Sequence, residues 1–423
     1  MPDPSEGRSP RSSKPRAAPQ ARSAARGRDG RTVYRARRMS VPLRIVLVLV
    51  VGAVAGLIAA QGHGSHTKAS TTTTTCTPRA VLSKWSLAKL ADQTIVVPAE
   101  ETDVTALLAG AKAGYGGVIL FGASAPSNLG RGLETLRRNV PDHLGFVVMT
   151  DEEGGDIQRM ANLVGSMPWP SQMGATMPPS QIQARARQVA SKMSSNGVNM
   201  DLAPVIDVDG RAVAPGASDP DGFRSFSGNT SVVEADGVAF LKGMLEGGVV
   251  PVVKHFPGLG GVSGNTDDGP ASTLSWTSLQ KVAIPPFVAA SKAGVPAVMV
   301  SNAIVPGLTG RTPASLSYSA VTQELRRHLG FKGLIITDSL SAKAISDAPL
   351  SLSVPEAAVQ AIEAGSDMML FGSSGSTSRD LALAASISHS LVAAVGSKQL
   401  SEAQLVSAAA AVLAVKRINV CAG

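Results

Sequence analysis

Short apolar runs alternate with amphipathic stretches from about residue 80 to the end of the chain. The apolar runs carry few charged residues, which is typical of strands that are buried on both faces of a parallel sheet. A stretch with helical periodicity follows most of these runs, so the order strand then helix repeats. The predicted strands are residues 94–98, 117–121, 145–150, 197–204, 249–254, 297–301, 333–337 and 367–371.

The number of strands selects between two arrangements of a parallel sheet. Eight strand–helix units fit a (β/α)8 TIM-type barrel, whereas a doubly wound open sheet is the competing topology. The count of eight favours the barrel, and we find neither an internal repeat nor a phosphate-binding glycine motif. The clearest predicted helices are residues 181–195, 232–246, 320–329, 355–364, 378–395 and 401–418.

The first 78 residues differ from the rest in composition and charge. Residues 1–44 contain 12 of the 39 basic residues and 3 of the 31 acidic residues, so the remainder of the chain is nearly neutral. We predict a basic, disordered cytoplasmic tail over residues 1–44, a Thr-rich linker over 61–78 and the barrel domain over 79–423. A nucleic-acid partner would depend on the tail alone, and we expect none.

Residues 45–60 form an uncharged apolar stretch directly after the basic tail. With the apolar residues before it, this stretch approaches the length of a membrane-spanning helix, and basic residues on its N-terminal side indicate a cytoplasmic N-terminus. We therefore predict a transmembrane signal anchor with the folded domain outside the cell. The alternative is a signal peptide cleaved near Ala60, which would release a secreted protein.

The chain contains two cysteines, Cys76 and Cys421, which lie at either end of the predicted folded domain. In an exported protein, a disulfide between them is the expected arrangement. Two unpaired thiols are the alternative that the sequence leaves open.

Charged side chains follow several of the predicted strands, at the point where each strand ends. In a barrel, the carboxyl ends of the strands surround one pocket, so these side chains should lie together. Carboxylates, lysine and histidine exchange hydrogen bonds with hydroxyl groups, and arginine binds a carbonyl or an acid group. The set predicts a pocket for a polyhydroxylated ligand. Its members are Asp151, Glu152, Glu153, Arg159, Asp207, Asp209, Arg224, Lys254, His255 and Asp338.

Five ordered motifs give the chain a resemblance to family 3 glycoside hydrolases, from about Leu82 to the C-terminus. It most resembles the single-domain β-N-acetylglucosaminidase (β-N-acetylhexosaminidase) branch of actinobacterial type. Five motifs in order are far more specific than any one alone. They are Asp151-x-Glu153-Gly154-Gly155-x-x-Gln158-Arg159, Leu202-Ala203-Pro204-Val205-x-Asp207-Val208, Arg224-Ser225-Phe226, Lys254-His255-Phe256-Pro257-Gly258 and Gly330-Phe331-x-Gly333-Leu334-Ile335-x-Thr337-Asp338.

The resemblance implies a retaining β-glycosidase that acts on terminal β-N-acetylglucosamine, for example in cell-wall glycan fragments. In such enzymes a carboxylate forms a covalent glycosyl-enzyme, and Asp338 matches that nucleophile. The resemblance implies no metal or organic cofactor, and we expect a monomer. The residues that match the sugar-binding positions of the innermost subsite are Asp151, Arg159, Arg224, Lys254 and His255.

One motif departs from the family pattern. The related branch has an Asp-Ser-His triplet in the loop after Lys-His-Phe-Pro-Gly, and its histidine is the general acid/base. This chain has Asn265-Thr266-Asp267 there, so the histidine is missing. Asp267 is the candidate replacement, with Asp268 second, if its pKa is raised by burial or by the nucleophile. The alternative is that both are solvated loop carboxylates.

Three functions therefore stay open at the level of sequence. The first is an exported β-N-acetylhexosaminidase with a carboxylate as acid/base. The second is a β-glucosidase-type exo-glycosidase, which would use the same nucleophile on another sugar. The third is a non-catalytic sugar-binding barrel, suggested by the missing histidine, although a pure binding protein would not need Asp338.

Overall fold

A computed structural model describes residues 76–347 and 349–421 of the chain. The predicted basic tail 1–44, the membrane segment 45–60 and most of the linker 61–78 lie outside these residues. Within the described residues, none of the helices combines the length and apolar character required to cross a bilayer.

A parallel sheet of seven strands forms the centre of the fold. The strands follow the chain order around the sheet, and every neighbouring pair is parallel. A short antiparallel hairpin lies between the third and fourth of them. The sheet strands are β1 (Val96–Glu100), β2 (Gly117–Phe121), β3 (Val147–Thr150), β6 (Met200–Asp201), β7 (Val250–Phe256), β8 (Ala297–Val300) and β9 (Leu334–Thr337), and the hairpin strands are β4 (Glu152–Gly154) and β5 (Ile157–Gln158).

The segment predicted as the eighth strand, residues 367–371, is not a full strand. It makes two isolated parallel bridges, one from Met368 to Ile336 on β9 and one from Met369 to Ile95 beside β1. Successive residues bond to opposite neighbours, so neither side gains the consecutive pairs that make a ladder. The prediction of an α/β fold with a parallel sheet is confirmed. The prediction of eight regular strands is wrong for this one segment, which forms only isolated bridges. The sheet curls so that its two edges bond to two adjacent residues, one edge to Met368 and the other to Met369.

Helices connect the strands and cover the outside of the sheet. The predicted helices are all present within a few residues, but the helix predicted over residues 320–329 is a π-helix, Ser319–His328, and not an α-helix. Short 3-10 helices cover Glu101–Leu107, Pro141–His143, Gly222–Arg224 and Ala314–Leu316. The α-helices are α1 (Pro78–Leu82), α2 (Leu87–Gln93), α3 (Leu108–Ala113), α4 (Leu129–Arg138), α5 (Ala161–Val164), α6 (Pro170–Thr176), α7 (Pro179–Ser195), α8 (Thr230–Glu246), α9 (Trp276–Val282), α10 (Ile284–Lys292), α11 (Lys343–Ser346), α12 (Val354–Ala364), α13 (Thr377–Gly396) and α14 (Glu402–Val415).

Two apolar clusters stabilise this arrangement. The larger one fills the layer between the strands and the surrounding helices, and the smaller one fills the inside of the curled sheet. Val412 of α14 belongs to the inner cluster, so this last helix packs against the inside of the sheet. The Nζ of Lys416, just after α14, donates to Gln93 Oε1 at 2.8 Å, and Gln93 is the last residue of α2, just ahead of the first strand. Helix α14 therefore closes the end of the sheet where the strands begin, which leaves their carboxyl ends accessible.

Cys76 and Cys421 are joined by a disulfide, with their Cα atoms 5.8 Å apart. The bond links Cys76, two residues before α1, to a residue after α14, and these two helices contact each other. It therefore covalently reinforces the closed end of the sheet, at a sequence separation of 345 residues.

We expect the double substitution Cys76→Ser and Cys421→Ser to lower the free energy of unfolding by about 2–5 kcal/mol, because the cross-link restricts the unfolded chain over a long loop. Urea unfolding of both proteins measures this difference. Amide exchange should rise first in α1 and α14. Equal urea midpoints for both proteins would show that the bond does not contribute to the free energy of unfolding.

Candidate active site

A cavity of about 260 Å³ opens at the carboxyl ends of the parallel strands. Its floor is apolar and includes Ile119, Met299 and Leu370, which belong to the inner cluster of the sheet. Asp268, the second candidate for the acid, is exposed and is not part of the cavity wall. Glu152, Asp207 and Asp209, which belong to the predicted set at the strand ends, do not line the cavity. The cavity does bring together all seven residues that were assigned a catalytic or sugar-binding role. They are Asp151, Arg159, Arg224, Lys254, His255, Asp267 and Asp338.

The hairpin after β3 supplies two of the cavity's charged groups, Glu153 and Arg159. Its position is fixed by Glu152, whose carboxylate accepts hydrogen bonds from the backbone N–H of Met160 at 2.6 Å and from Gln158 Nε2 at 2.9 Å. The backbone N–H of Glu152 in turn donates to Asp201 Oδ1 at 2.9 Å, at the end of β6. Burial raises the pKa of Glu152 to about 7. Glu152 therefore points away from the cavity and anchors the hairpin that presents its neighbours.

Lys254, on β7, lies between two carboxylates. Its Nζ is 2.7 Å from Asp151 Oδ1 and 2.7 Å from Glu153 Oε1. Only 3% of the Lys254 side chain is exposed, and burial alone would lower its pKa, but the charges of Asp151 and Glu153 outweigh burial and raise it. The lysine is therefore held as a cation at a fixed position in the cavity wall.

Arg224 forms a bidentate ion pair with the same Glu153. The Nε of Arg224 is 2.8 Å from Glu153 Oε2, and Nη2 is 2.9 Å from Oε1. A third contact, from Nη1 to the carbonyl oxygen of Pro220 at 2.8 Å, fixes the plane of the guanidinium group. Burial alone would raise the pKa of Glu153, but Arg224 and Lys254 overcome this and lower it well below its ordinary value. One buried carboxylate thus orients two cations of the cavity wall.

His255 follows Lys254 and is oriented by Asp207, which comes shortly after β6. The Nδ1 of His255 is 2.7 Å from Asp207 Oδ2. Asp207 also accepts from the backbone N–H of Leu259 at 2.8 Å, so it ties the histidine to the loop that follows. Because Asp207 occupies Nδ1, the Nε2 of His255 is the ring nitrogen left for the cavity, 3.5 Å from Arg224 Nη2.

Asp338 and Asp267 face the cavity from different segments. Asp338 directly follows β9, is half-buried and accepts from the backbone N–H of Ser339 at 2.7 Å. Asp267 is exposed at the mouth of the cavity, and its loop is held by the bond from the Ala344 N–H to the Thr266 carbonyl oxygen at 2.9 Å. The pKa of Asp267 is raised, first because the cavity wall partly desolvates it and second because of the negative charge of Asp338.

Arg159 presents a hydrogen-bond donor that the protein does not use. Among the residues that the structure describes, no acceptor bonds to its buried Nε. Its backbone N–H donates to the carbonyl oxygen of Asp151 at 3.2 Å, which places it beside the Asp151–Lys254 pair. Such a donor is available to an acceptor on a bound ligand.

Three buried acids near the cavity were given no catalytic or sugar-binding role by sequence reasoning: Glu153, Asp207 and Asp221. Glu153 and Asp207 did belong to the predicted set of charged groups at the strand ends. Glu153 and Asp207 lie within recognised motifs, so their position could have signalled a role. Asp221 has no such signal. Burial, and then the charge of Asp207, raises its pKa well above the ordinary value. One ligand atom from each of Asp207, Asp221 and His255 lies within 4.8 Å of the others, close enough for the three to hold one cation.

The chain matches the profile described as glycosyl hydrolase family 3 N terminal domain over residues 88–415. It is 32% identical to the β-hexosaminidase LpqI of Mycobacterium tuberculosis over 351 residues, which cover 76% of this chain and 86% of the relative. An uncharacterized secreted glycosyl hydrolase of Arthroderma benhamiae is 35% identical over 240 residues, 54% of this chain and 65% of the relative.

Solved structures show the same relationship. The structure of M. tuberculosis LpqI has a TM-score of 0.71 at 29% identity, and the match covers 81% of this chain and 97% of that one. The β-N-acetylhexosaminidase of Beutenbergia cavernae has a TM-score of 0.70 at 30% identity, covering 79% and 99%. The predicted resemblance to the β-N-acetylhexosaminidase branch is confirmed. The chain belongs to glycosyl hydrolase family 3, and it is a glycoside hydrolase.

Proposed function

We propose that this protein removes terminal β-linked N-acetylglucosamine from oligosaccharides or cell-wall glycan fragments, with retention of the anomeric configuration. The observation that carries the proposal is one cavity that contains Asp338, Asp267 and the five predicted sugar-binding residues together. The named relatives that are β-hexosaminidases support the choice of sugar.

The sugar-binding wall suits the hydroxyl groups of a single terminal unit. Lys254 donates, Asp151 accepts, and both are held in place by their mutual contact of 2.7 Å. His255 and Arg224 add donors from the neighbouring side, and Arg159 brings a donor that is free among the described residues. Because these groups are buried or half-buried and most are held by ion pairs, little side-chain freedom is lost when a sugar binds.

Chemistry then proceeds in two steps. Asp338 attacks the anomeric carbon and forms a covalent ester, while Asp267 gives its proton to the departing glycosidic oxygen. Asp267 next removes a proton from water, which attacks the same carbon, breaks the ester and restores the Asp338 carboxylate. The charge of Asp338 raises the pKa of Asp267 before the first step. That charge disappears in the ester, so the pKa of Asp267 falls, and its carboxylate form can act as the base.

An extracellular location fits the features of the folded domain. The Cys76–Cys421 disulfide suits an oxidising compartment. The basic tail followed by residues 45–60 supports either an anchor with the domain outside the cell or release by cleavage near Ala60. We propose β-linked amino-sugar glycans as the encountered substrates and a monomer as the active form.

We expect Asp338→Ala to reduce release of nitrophenol from nitrophenyl N-acetyl-β-glucosaminide by at least about 10³-fold, because no ester can form. Steady-state rates for the two proteins measure this. The matched control is Asp347→Ala, which removes an exposed carboxylate outside the cavity wall and should leave the rate unchanged. Unaltered turnover in Asp338→Ala would reject Asp338 as the nucleophile.

We expect Asp267→Asn to slow hydrolysis of poor leaving groups by about 10²–10⁴-fold and that of nitrophenyl substrates much less, because only poor leaving groups need the proton. In the unsubstituted protein, the rate on poor leaving groups should fall as pH rises through the raised pKa of Asp267, since the acid form is required. That alkaline limb should be absent from Asp267→Asn. Asp268→Asn is the control; equal losses on all leaving groups would exclude an acid role for Asp267.

A second candidate function is supported by the position of Asp267 alone. It occupies the place of the family's histidine but is exposed, which also fits a sugar-binding protein without turnover. Comparison of nitrophenyl N-acetyl-β-glucosaminide with nitrophenyl β-glucoside separates the possibilities. Preference for the first substrate supports the proposal, and activity on the glucoside alone indicates a β-glucosidase-type enzyme. Binding of N-acetylglucosamine without release from either substrate indicates a binding protein.

A further inference from the structure

Three buried side chains meet behind the sugar-binding wall. Asp207 comes shortly after β6, Asp221 lies just before the 3-10 helix Gly222–Arg224, and His255 is on β7. Asp207 and Asp221 are fully buried, and His255 is 5% exposed. One ligand atom from each lies within 4.8 Å of the other two.

Asp221 is the member whose environment is incomplete. Both of its carboxylate oxygens are buried, and among residues 76–347 and 349–421 neither accepts a hydrogen bond. The neighbouring cations are engaged elsewhere: Arg224 pairs with Glu153, and Arg211 contacts Asp219 at 2.7 Å. A buried carboxyl group in a folded protein normally has a donor, a proton or a cation as its partner.

A proton would neutralise Asp221 but would leave its second oxygen without a donor. A divalent cation satisfies more of the cluster at once, because it can accept one oxygen from each aspartate and one nitrogen from the imidazole. Carboxylate oxygens and imidazole nitrogens are both ligands that zinc and related transition metals bind. Ligand atoms around a tetrahedral zinc lie about 3.3 Å apart, so the cluster needs to contract by no more than about 1.5 Å.

We propose that Asp207, Asp221 and His255 form a binding site for a divalent transition-metal ion, with zinc as the best-matched ion. The main electrostatic opposition comes from Arg224, whose Nη2 is 3.5 Å from His255 Nε2. Its charge is balanced by the bidentate pair with Glu153, with both contacts under 3 Å. The net local charge of the cluster therefore remains favourable for a cation.

Occupancy of this site has a consequence for the sugar cavity. His255 lines that cavity, and zinc would claim one of its ring nitrogens and the Asp207 carboxylate that orients it. A sugar would then lose the imidazole as a partner, so zinc should inhibit turnover. This inhibitory effect rests on the proposed glycosidase function, whereas the binding of zinc does not.

Calorimetric titration of zinc into the full chain tests the site. All proteins carry His63→Gln and His66→Gln, which remove two histidines that could bind zinc elsewhere. The chain with these two substitutions alone is the reference protein. We expect the reference protein and Asp268→Asn to bind one more zinc ion per chain than Asp221→Asn, or to bind it at least tenfold more tightly. His255→Gln should show the same loss as Asp221→Asn, so the test stands even if one of these variants fails a thermal-melting check.

Rates on the nitrophenyl substrate, each divided by the rate of the same protein in the chelator EDTA, give a second readout. Zinc should inhibit the reference protein and Asp268→Asn at concentrations that leave Asp221→Asn unaffected. Identical zinc isotherms for the reference protein and Asp221→Asn would overturn the site, as would the absence of zinc binding. If no substrate is turned over, the glycosidase proposal fails while the isotherms still decide the metal site.

Discussion

The carboxylate of Glu153 is the group on which the geometry of the cavity depends. It is 1% exposed and lies within 3 Å of both Lys254 and Arg224, which come from distant parts of the chain. Two buried cations without this anion would repel each other and lose their hydrogen bonds. Through Lys254 it also fixes Asp151, and through Arg224 it limits the space around His255. Glu153 therefore sets the positions of four other residues that line the cavity.

The sequence predicted the location of the site better than the hydrogen bonds and ion pairs within it. Asp338 and Lys254 were found because each ends an apolar strand, and strands of a parallel sheet present their carboxyl ends to one pocket. The partners of these residues could not be predicted in the same way. Glu153 and Arg224 are 71 positions apart, and Asp207 and His255 are 48 apart, with irregular segments between them. No periodicity relates such positions. Nothing in the sequence singled out Asp221, because its distinguishing feature is a buried carboxylate without hydrogen-bond donors, which only the structure shows.

The fold shows a similar division. Apolar runs located seven strands, but the eighth run, 367–371, bonds alternately to the two edges of the sheet and so forms bridges instead of a strand. That outcome depends on how far the sheet curls, which is a property of all strands together. Helix α14 was predicted as a helix, yet nothing in its mostly apolar sequence indicated that Val412 would join the inside of the sheet. Its packing partner became identifiable only once the sheet was closed around it.

The Cys76–Cys421 bond makes the folded domain a covalent ring, since it joins residues on either side of almost all of the described structure. A protease that cuts one surface loop between these cysteines would open the ring but would not release a fragment. The two pieces would stay tethered at a fixed high local concentration and could reassemble as one molecule. In the extracellular location proposed above, a single cleavage would therefore leave the domain in one piece. Damage would become permanent only with a second cut or with loss of the disulfide.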